Sequence, residues 1–376
     1  MQAHRKPTAL WVSGVLMVSG ALGTVVRAEE TGAQSPLNVI LISLDTVRPD
    51  HLSCYGYHRK TTPNLDRISR QGVVFTQAFS QSPTTHPSHL SIFTSRYPTR
   101  QWVSWKGNDL EESTETLTEI LKRHGYITAA FTGLGKANHN SRNLLASRPF
   151  QAFDQLTQDV HLSWLPGEVF KWLWAHQEQP FFLFVHGYDA HEPHVLPIHR
   201  NAKRFNPTYH DSLPSTQVEL EAFIASVLPP DEVRRLRSDK DAYRQLELEL
   251  YWRRLGYDGS LPQDDLKHLQ ALYDAQIYYL DQGLGELFQA LKHLNLMERT
   301  LIVILSDHGQ AFGEHGLYAV HGRCYDEQTR IALIIRDPRL RRRGRTVRHI
   351  VQAIDVMPTV LELLDLPIPA SAQGRS

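Results

Sequence analysis

Four stretches of the chain are apolar almost without interruption: Leu37–Leu44, Pro180–His186, Thr300–Ser306 and Ile331–Arg336. A strand with one face in water alternates apolar and polar positions. A parallel strand covered on both faces reads as a continuous apolar run instead. The four runs therefore predict buried strands of the parallel kind. Amphipathic stretches lie between and beyond them, at Asn64–Gly72, Glu115–His124, Leu266–Leu294 and Val356–Leu364, and these predict helices. Strands separated by helices predict an α/β fold with an open, mainly parallel sheet flanked by helices. Such sheets collect their chemistry at the carboxyl ends of the strands. Polar residues follow the predicted strands in that way. Asp45-Thr46 comes after the first, His186, Asp189 and His191 after the second, and Ser306-Asp307-His308-Gly309 after the third.

Residues 195–262 break the pattern. They are charged and proline-containing, with helical pieces at Thr216–Val227 and Asp241–Arg254, and they read as a solvent-covered helical insertion. The basic run Arg336–Arg348 reads as a solvated loop. At the N-terminus, Arg5 and Lys6 precede an apolar run from about Ala9 to Val26, which ends in Val26-Arg27-Ala28. This predicts a signal peptide over residues 1–28 and an exported protein, periplasmic or secreted, that meets a membrane only if the segment stays uncleaved. Lys plus Arg equals Asp plus Glu at 40 each. No net field favours nucleic acid, so that partner is not expected, and any anion must be recognised by a local site. Cys54 and Cys324 sit in a turn-like stretch and among candidate site residues, and no disulfide between them is expected.

Asp45, Asp307 and His308 offer two hard oxygen ligands and one nitrogen, a set suited to one divalent metal ion, Ca, Mn, Zn or Mg. Each alone is an ordinary strand-end turn; their shared strand context makes the metal signal. The segment Ser82–Pro98 places hydroxyls and a proline before a short apolar run and predicts a helix that starts at about Pro87. A hydroxyl there meets free backbone N–H groups able to bind an oxyanion. A nearby cation would activate it as a nucleophile.

The resemblance carried by these segments is specific. Asn38–Tyr57, Thr61–Asp66, Thr85-His86-Pro87-Ser88-His89, Leu90–Pro98, Phe181–Pro193, Ser306–Gly309 with Gly313–Gly316, His321–Glu327 and Asp355–Thr359 follow one another as in the sulfatase family of the alkaline-phosphatase-like superfamily. The resemblance implies a catalytic domain over 37–376. It implies Asp45, Thr85, Asp307 and His308 as metal ligands, with Thr85 also the nucleophile. His191 and His321 would contact the transferred anion or protonate the leaving oxygen, and His89, Lys136 and His186 would contact substrate. The substrate would be a sulfated or phosphorylated small molecule, glycan or lipid.

Three positions depart from the family pattern. Thr85 stands where sulfatases carry a Cys or Ser that is oxidised to formylglycine, His89 replaces an Arg, and Thr46 replaces a second Asp. Threonine cannot become that aldehyde, because its extra methyl blocks the product. Fewer carboxylates and a His ligand favour Mn²⁺, Zn²⁺ or Mg²⁺ over a Ca²⁺-rich cage. These departures leave a phosphotransferase or phosphodiesterase, or a non-catalytic anion-binding protein, as alternatives to a sulfate ester hydrolase. The last residues resemble the point where relatives continue, so a C-terminal subdomain is expected to be missing or truncated.

Overall fold

The computed structural model describes residues 36–98, 110–133, 144–145, 147–158, 162, 167–197, 200–210, 213–237, 250, 261–340 and 343–376. The chain divides into two units, 1–35 and 36–376, and the described residues all belong to the second. The predicted signal peptide and Lys136 lie outside the described residues, as does nearly all of the predicted helix Asp241–Arg254.

The strands are β1 (Asn38–Leu44), β2 (Val73–Phe79), β3 (Ile127–Thr132), β4 (Gln155–Thr157), β5 (Phe181–Gly187), β6 (Thr300–Ser306), β7 (Ala311–Phe312), β8 (Tyr318–Val320), β9 (Arg330–Arg336), β10 (Arg345–Val347) and β11 (Val351–Gln352). The main sheet runs β10-β2-β9-β6-β1-β5-β3-β4, with β11 beside β2, while β7 and β8 form a separate ribbon. β1 pairs in parallel with both β5 and β6, and β3 continues the parallel order beside β5. β9 alone reverses direction, lying antiparallel to β6 and to β2.

Every residue of β1, β5 and β6 is buried, which is why these strands read as unbroken apolar runs. Successive side chains of β1 feed opposite faces. Ile40, Ile42 and Leu44 pack with Leu269, Tyr273, Ile277, Leu280 and Leu284 of the long helix Gln263–His293. Val39 and Leu41 join the other core, with Ile92 and Phe93 of helix Thr85–Thr94, Ile120 and Leu121 of helix Leu117–Arg123, and Val360 and Leu361 of helix Val356–Leu363. Each fully buried aliphatic or aromatic side chain contributes about 1.5–3 kcal/mol relative to exposure, so the two-sided core holds the sheet.

The four helices predicted from amphipathic periodicity are present, within a few residues of the expected ends. Two features differ from the sequence reading. The run Ile331–Arg336 is a strand, but an antiparallel one: the chain leaves β6 and returns through residues 307–329 without a long crossover helix, so it comes back in the opposite direction. β2 and β3 gave no clear signal beforehand. β2 carries polar Thr76 and Gln77 and is only partly buried, and β3 is short, with Thr at two of its positions.

Candidate active site

The cluster stands at the carboxyl edge of the sheet because its residues follow strands that run the same way. Asp45 comes directly after β1, Asp307 directly after β6, and His186 lies near the end of β5. Thr85 opens the helix Thr85–Thr94, which follows β2 through a short loop. That helix starts at Thr85 rather than at about Pro87, so Thr85 lies in its first turn. Pro87 is tolerated there because its missing N–H would have had no partner. The N-cap residue Thr84 makes no capping bond, and its hydroxyl pairs instead with Ser82 Oγ at 3.0 Å.

Asp45, Asp307 and His308 are fully buried. Asp45 Oδ2 accepts from Thr85 Oγ1 at 3.3 Å and lies 3.1 Å from His186 Nε2, while its Oδ1 has no hydrogen-bond partner. Asp307 repeats the pattern. Its Oδ1 accepts from the amides of Thr46 (3.2 Å) and His308 (2.8 Å), and its Oδ2 has no partner. His308 Nδ1 lies 2.9 Å from the Gly309 carbonyl, which can only accept, so Nδ1 carries the proton and Nε2 keeps a lone pair. That Nε2 is 3.2 Å from Thr85 Oγ1, 3.5 Å from Asp307 Oδ2 and 3.9 Å from Asp45 Oδ1.

Two bare carboxylate oxygens and one imidazole lone pair therefore converge beside a threonine hydroxyl. Buried anionic oxygens without partners cost several kcal/mol. These donors fit a divalent cation, which would satisfy them together. The electrostatics agree. Burial, and then the charge of Asp45, hold the Asp307 carboxyl well above the ordinary carboxylate range. Burial alone would raise Asp45 too, but its bond to His186 and the surrounding imidazoles bring it below its usual value. Burial, then His321, pushes His308 well below the ordinary imidazole value.

Other residues hold the cluster in place. Tyr273, on the long helix, donates its hydroxyl to the Thr46 carbonyl (2.7 Å) and accepts from the Arg48 amide (2.8 Å). This pins the turn after β1, where Thr46 adopts a φ of 57°. Ser88 Oγ donates to the Asp307 carbonyl at 2.8 Å and ties the Thr85 helix to the end of β6.

The structure brings Asp45, Thr85, Asp307 and His308 together and places His191 and His321 nearby, with the His308 and His321 rings 4.6 Å apart. Two of the residues expected to contact substrate are engaged inside the fold, His89 first. It is fully buried, and its ring nitrogens reach the Thr85 carbonyl (2.8 Å) and Ser43 Oγ (2.9 Å). Burial, then His186, lowers its pKa to about 3, so it is a neutral brace of the Thr85 helix. His186 is 1% exposed and spans Asp45 Oδ2 and Thr132 Oγ1, a position from which it orients a carboxylate. The sequence reading passed over Glu192, Tyr273 and Ser88. Glu192 had a signal of a kind, a carboxylate next to His191 in the segment after a buried strand. Tyr273 and Ser88 had none, because their partners are distant in the chain.

A cation-ready carboxylate pair and a hydroxyl at a helix start, on the carboxyl rim of a mainly parallel sheet, place this protein among the alkaline-phosphatase-like α/β proteins. Within that class, the sequence profile of the Sulfatase family matches residues 37–366, and the chain belongs to that family of ester hydrolases. It is 27% identical to iduronate 2-sulfatase of Mus musculus over 96% of this chain and 75% of the relative. It is 24% identical to arylsulfatase K of Rattus norvegicus over 95% of this chain and 65% of the relative. Among solved structures, a protein in complex with its substrate D-glucosamine-2-N,6-O-disulfate superposes with a TM-score of 0.67 at 21% identity, covering 91% of this chain and 79% of that one. The phosphonate monoester hydrolase of Agrobacterium radiobacter gives 0.63 at 22% identity, covering 90% and 78%.

Proposed function

We propose that this chain is a metal-dependent hydrolase of phosphate or sulfate esters in which Thr85 is the nucleophile, with phosphate esters favoured. The observation that carries this reading is the position of Thr85 Oγ1, 3.3 Å from Asp45 Oδ2 and 3.2 Å from His308 Nε2, beside the two bare carboxylate oxygens. Asp45, Asp307, His308 and Thr85 would hold the cation. When bound there, a divalent cation supplies Lewis acidity that lowers the pKa of the threonine hydroxyl and draws charge off the ester oxygens.

Thr85 Oγ gives up its proton and bonds to the phosphorus or sulfur as the bond to the alcohol oxygen breaks. The departing oxygen takes up a proton. His191 and His321, near Thr85 and His308, would contact the transferred group or protonate this leaving oxygen. Water then attacks the Thr85 ester, releases the inorganic anion and restores the hydroxyl. Phosphate is favoured because a phospho-threonine can be cleaved by a second in-line displacement. A sulfo-threonine lacks the second hydroxyl on carbon through which a hydrated aldehyde would expel sulfate. Sulfated glycan substrates remain the second reading, supported by the family and by the disulfated glucosamine bound to the structural relative. The basic-then-apolar N-terminal segment argues for work outside the cytosol. Among the described residues no helix is long and apolar enough to cross a membrane.

The test is turnover of 4-nitrophenyl phosphate, bis-4-nitrophenyl phosphate and 4-nitrophenyl sulfate, with Mn²⁺, Zn²⁺, Mg²⁺ or Ca²⁺ added to metal-free protein. Phosphate turnover that falls about a thousandfold or more in Thr85→Ala is expected. Sulfate-only turnover would overturn the phosphate preference, and unchanged rates in Thr85→Ala would remove Thr85 as the nucleophile.

A further inference from the structure

Arg48 stands three residues beyond Asp45, and its side chain is only 7% exposed. Its guanidinium reaches the segment that follows Asp307 and His308. Nη1 donates to the Gln310 carbonyl at 3.2 Å and to Glu314 Oε1 at 2.8 Å, while Nε and Nη2 hold the two oxygens of Asp50 at 3.0 and 2.7 Å. Glu314 completes the contact, since its Oε2 accepts from the Phe312 amide at 2.5 Å. One buried cation therefore grips β7 at both ends. Gln310 comes directly before that strand and Glu314 two residues after it.

The strand so held is the frame of His321. β8 lies antiparallel to β7 with Val320 opposite Ala311, and His321 is the next residue along the chain. The ribbon is strained. Gly313 and Gly316 have φ of 102° and 71°, which glycine tolerates, but His315 and Ala319 have φ of 55° and 47°. A residue with a Cβ keeps that left-handed backbone only where its surroundings impose it. Phe312, buried against Tyr273, fixes the base of the ribbon, and the Glu314 carboxylate fixes the start of its turn. Beyond β8, His321 Nδ1 lies 3.2 Å from the Pro83 carbonyl, with its ring 4.6 Å from that of His308. An exposed ion pair would contribute little. Here the guanidinium is shielded from water, and loss of the Glu314 charge leaves Asp50 as its one acidic partner among the described residues.

We propose that the Arg48–Glu314 ion pair is a positioning device for His321, setting the ribbon that carries this ring beside His308. The proposal rests on the reading of the Thr85 site for its catalytic meaning alone: there His321 meets the transferred group or the leaving oxygen. Arg48 and Glu314 act only through the ribbon.

The test compares Glu314→Gln with the unaltered full chain, each with Zn²⁺ added and with isotope-labelled histidines for nuclear magnetic resonance. The His321 ring resonances, identified by their absence in His321→Gln, should move in Glu314→Gln while those of His268 stay in place. For 4-nitrophenyl phosphate, kcat/KM should fall about tenfold in Glu314→Gln, but less than about twofold when the same change is made in His321→Gln. A merely structural role would cost the same factor in both backgrounds. Equal losses there, or unmoved His321 resonances, would overturn the proposal. Circular dichroism checks that each variant is folded. Arg48→Lys, which keeps the charge but not the fork, breaks the contact from the other side should Glu314→Gln misfold. Absence of turnover in the unaltered protein with every metal would remove the proposed function and leave the resonances to decide the positioning.

Discussion

His194 shows how strongly one residue's surroundings set its chemistry. It is fully buried, with its ring nitrogens 2.7 Å from Gln276 Oε1 and 3.2 Å from Gln310 Nε2. Burial lowers its pKa to about 4, against an ordinary 6.5. In the unfolded chain this histidine takes up a proton near pH 6.5, and in the folded protein only near pH 4. Its contribution is therefore complete above pH 6.5 and is lost as pH falls toward 4, by about 3 kcal/mol. His89 acts in the same direction. Denaturant unfolding followed from pH 7 to pH 4 should show this loss, and His194→Gln should flatten the curve; equal slopes in the two proteins would refute the assignment.

At the scale of elements, the site depends on backbones that approach closely. Gly309 ends the motif that supplies Asp307 and His308, and its amide bonds the Gln328 carbonyl at 2.9 Å. A Cβ at Gly309 would lie 2.2 Å from the Glu327 carbonyl oxygen, a backbone atom that has little room to yield. Gly309→Ala should cost about 1–3 kcal/mol of stability. By displacing His308 it should also weaken metal binding about tenfold or more, read by calorimetric titration of the metal-free protein. Retained affinity would show that the loop can move without the imidazole. The long helix Gln263–His293 braces the same rim in two ways. Tyr273 holds the turn after β1, and Asp281 accepts from the amides of Asn64 and Leu65 at 2.9 and 2.8 Å, capping the helix Pro63–Ser69, whose own N-cap residue makes no capping bond.

For the whole molecule, the proposed cation joins parts of the chain that nothing covalent connects: the ends of β1 and β6 and the helix after β2. Without it, two adjacent buried carboxylates oppose each other's ionisation. Chelation should therefore lower the melting temperature as well as abolish turnover. A ligand at a hundred times its dissociation constant adds about 2.7 kcal/mol, which corresponds to roughly 5 °C or more for a domain of this size. Scanning calorimetry with and without chelator, then with metal restored, checks this, and an unchanged midpoint would show that the donors hold no ion.

The amino-acid order determined the sheet's buried centre, because a strand covered on both faces must be apolar at nearly every position, and Leu37–Leu44, Pro180–His186 and Thr300–Ser306 are so. It also marked the acidic and imidazole groups at the strand ends, since parallel strands bring their carboxyl ends to one rim. Only the tertiary structure decided the direction of Ile331–Arg336, because an apolar run reads the same in either sense. It alone decided which histidines are locked inside the fold and which stay partly exposed. His89, His186, His191 and His321 look alike along the chain, yet buried hydrogen bonds engage the first two inside the fold, while backbone carbonyls hold the last two, which stay partly exposed beside Glu192. Which ring nitrogen is engaged depends on partners far away in sequence, and only folding brings those partners within reach.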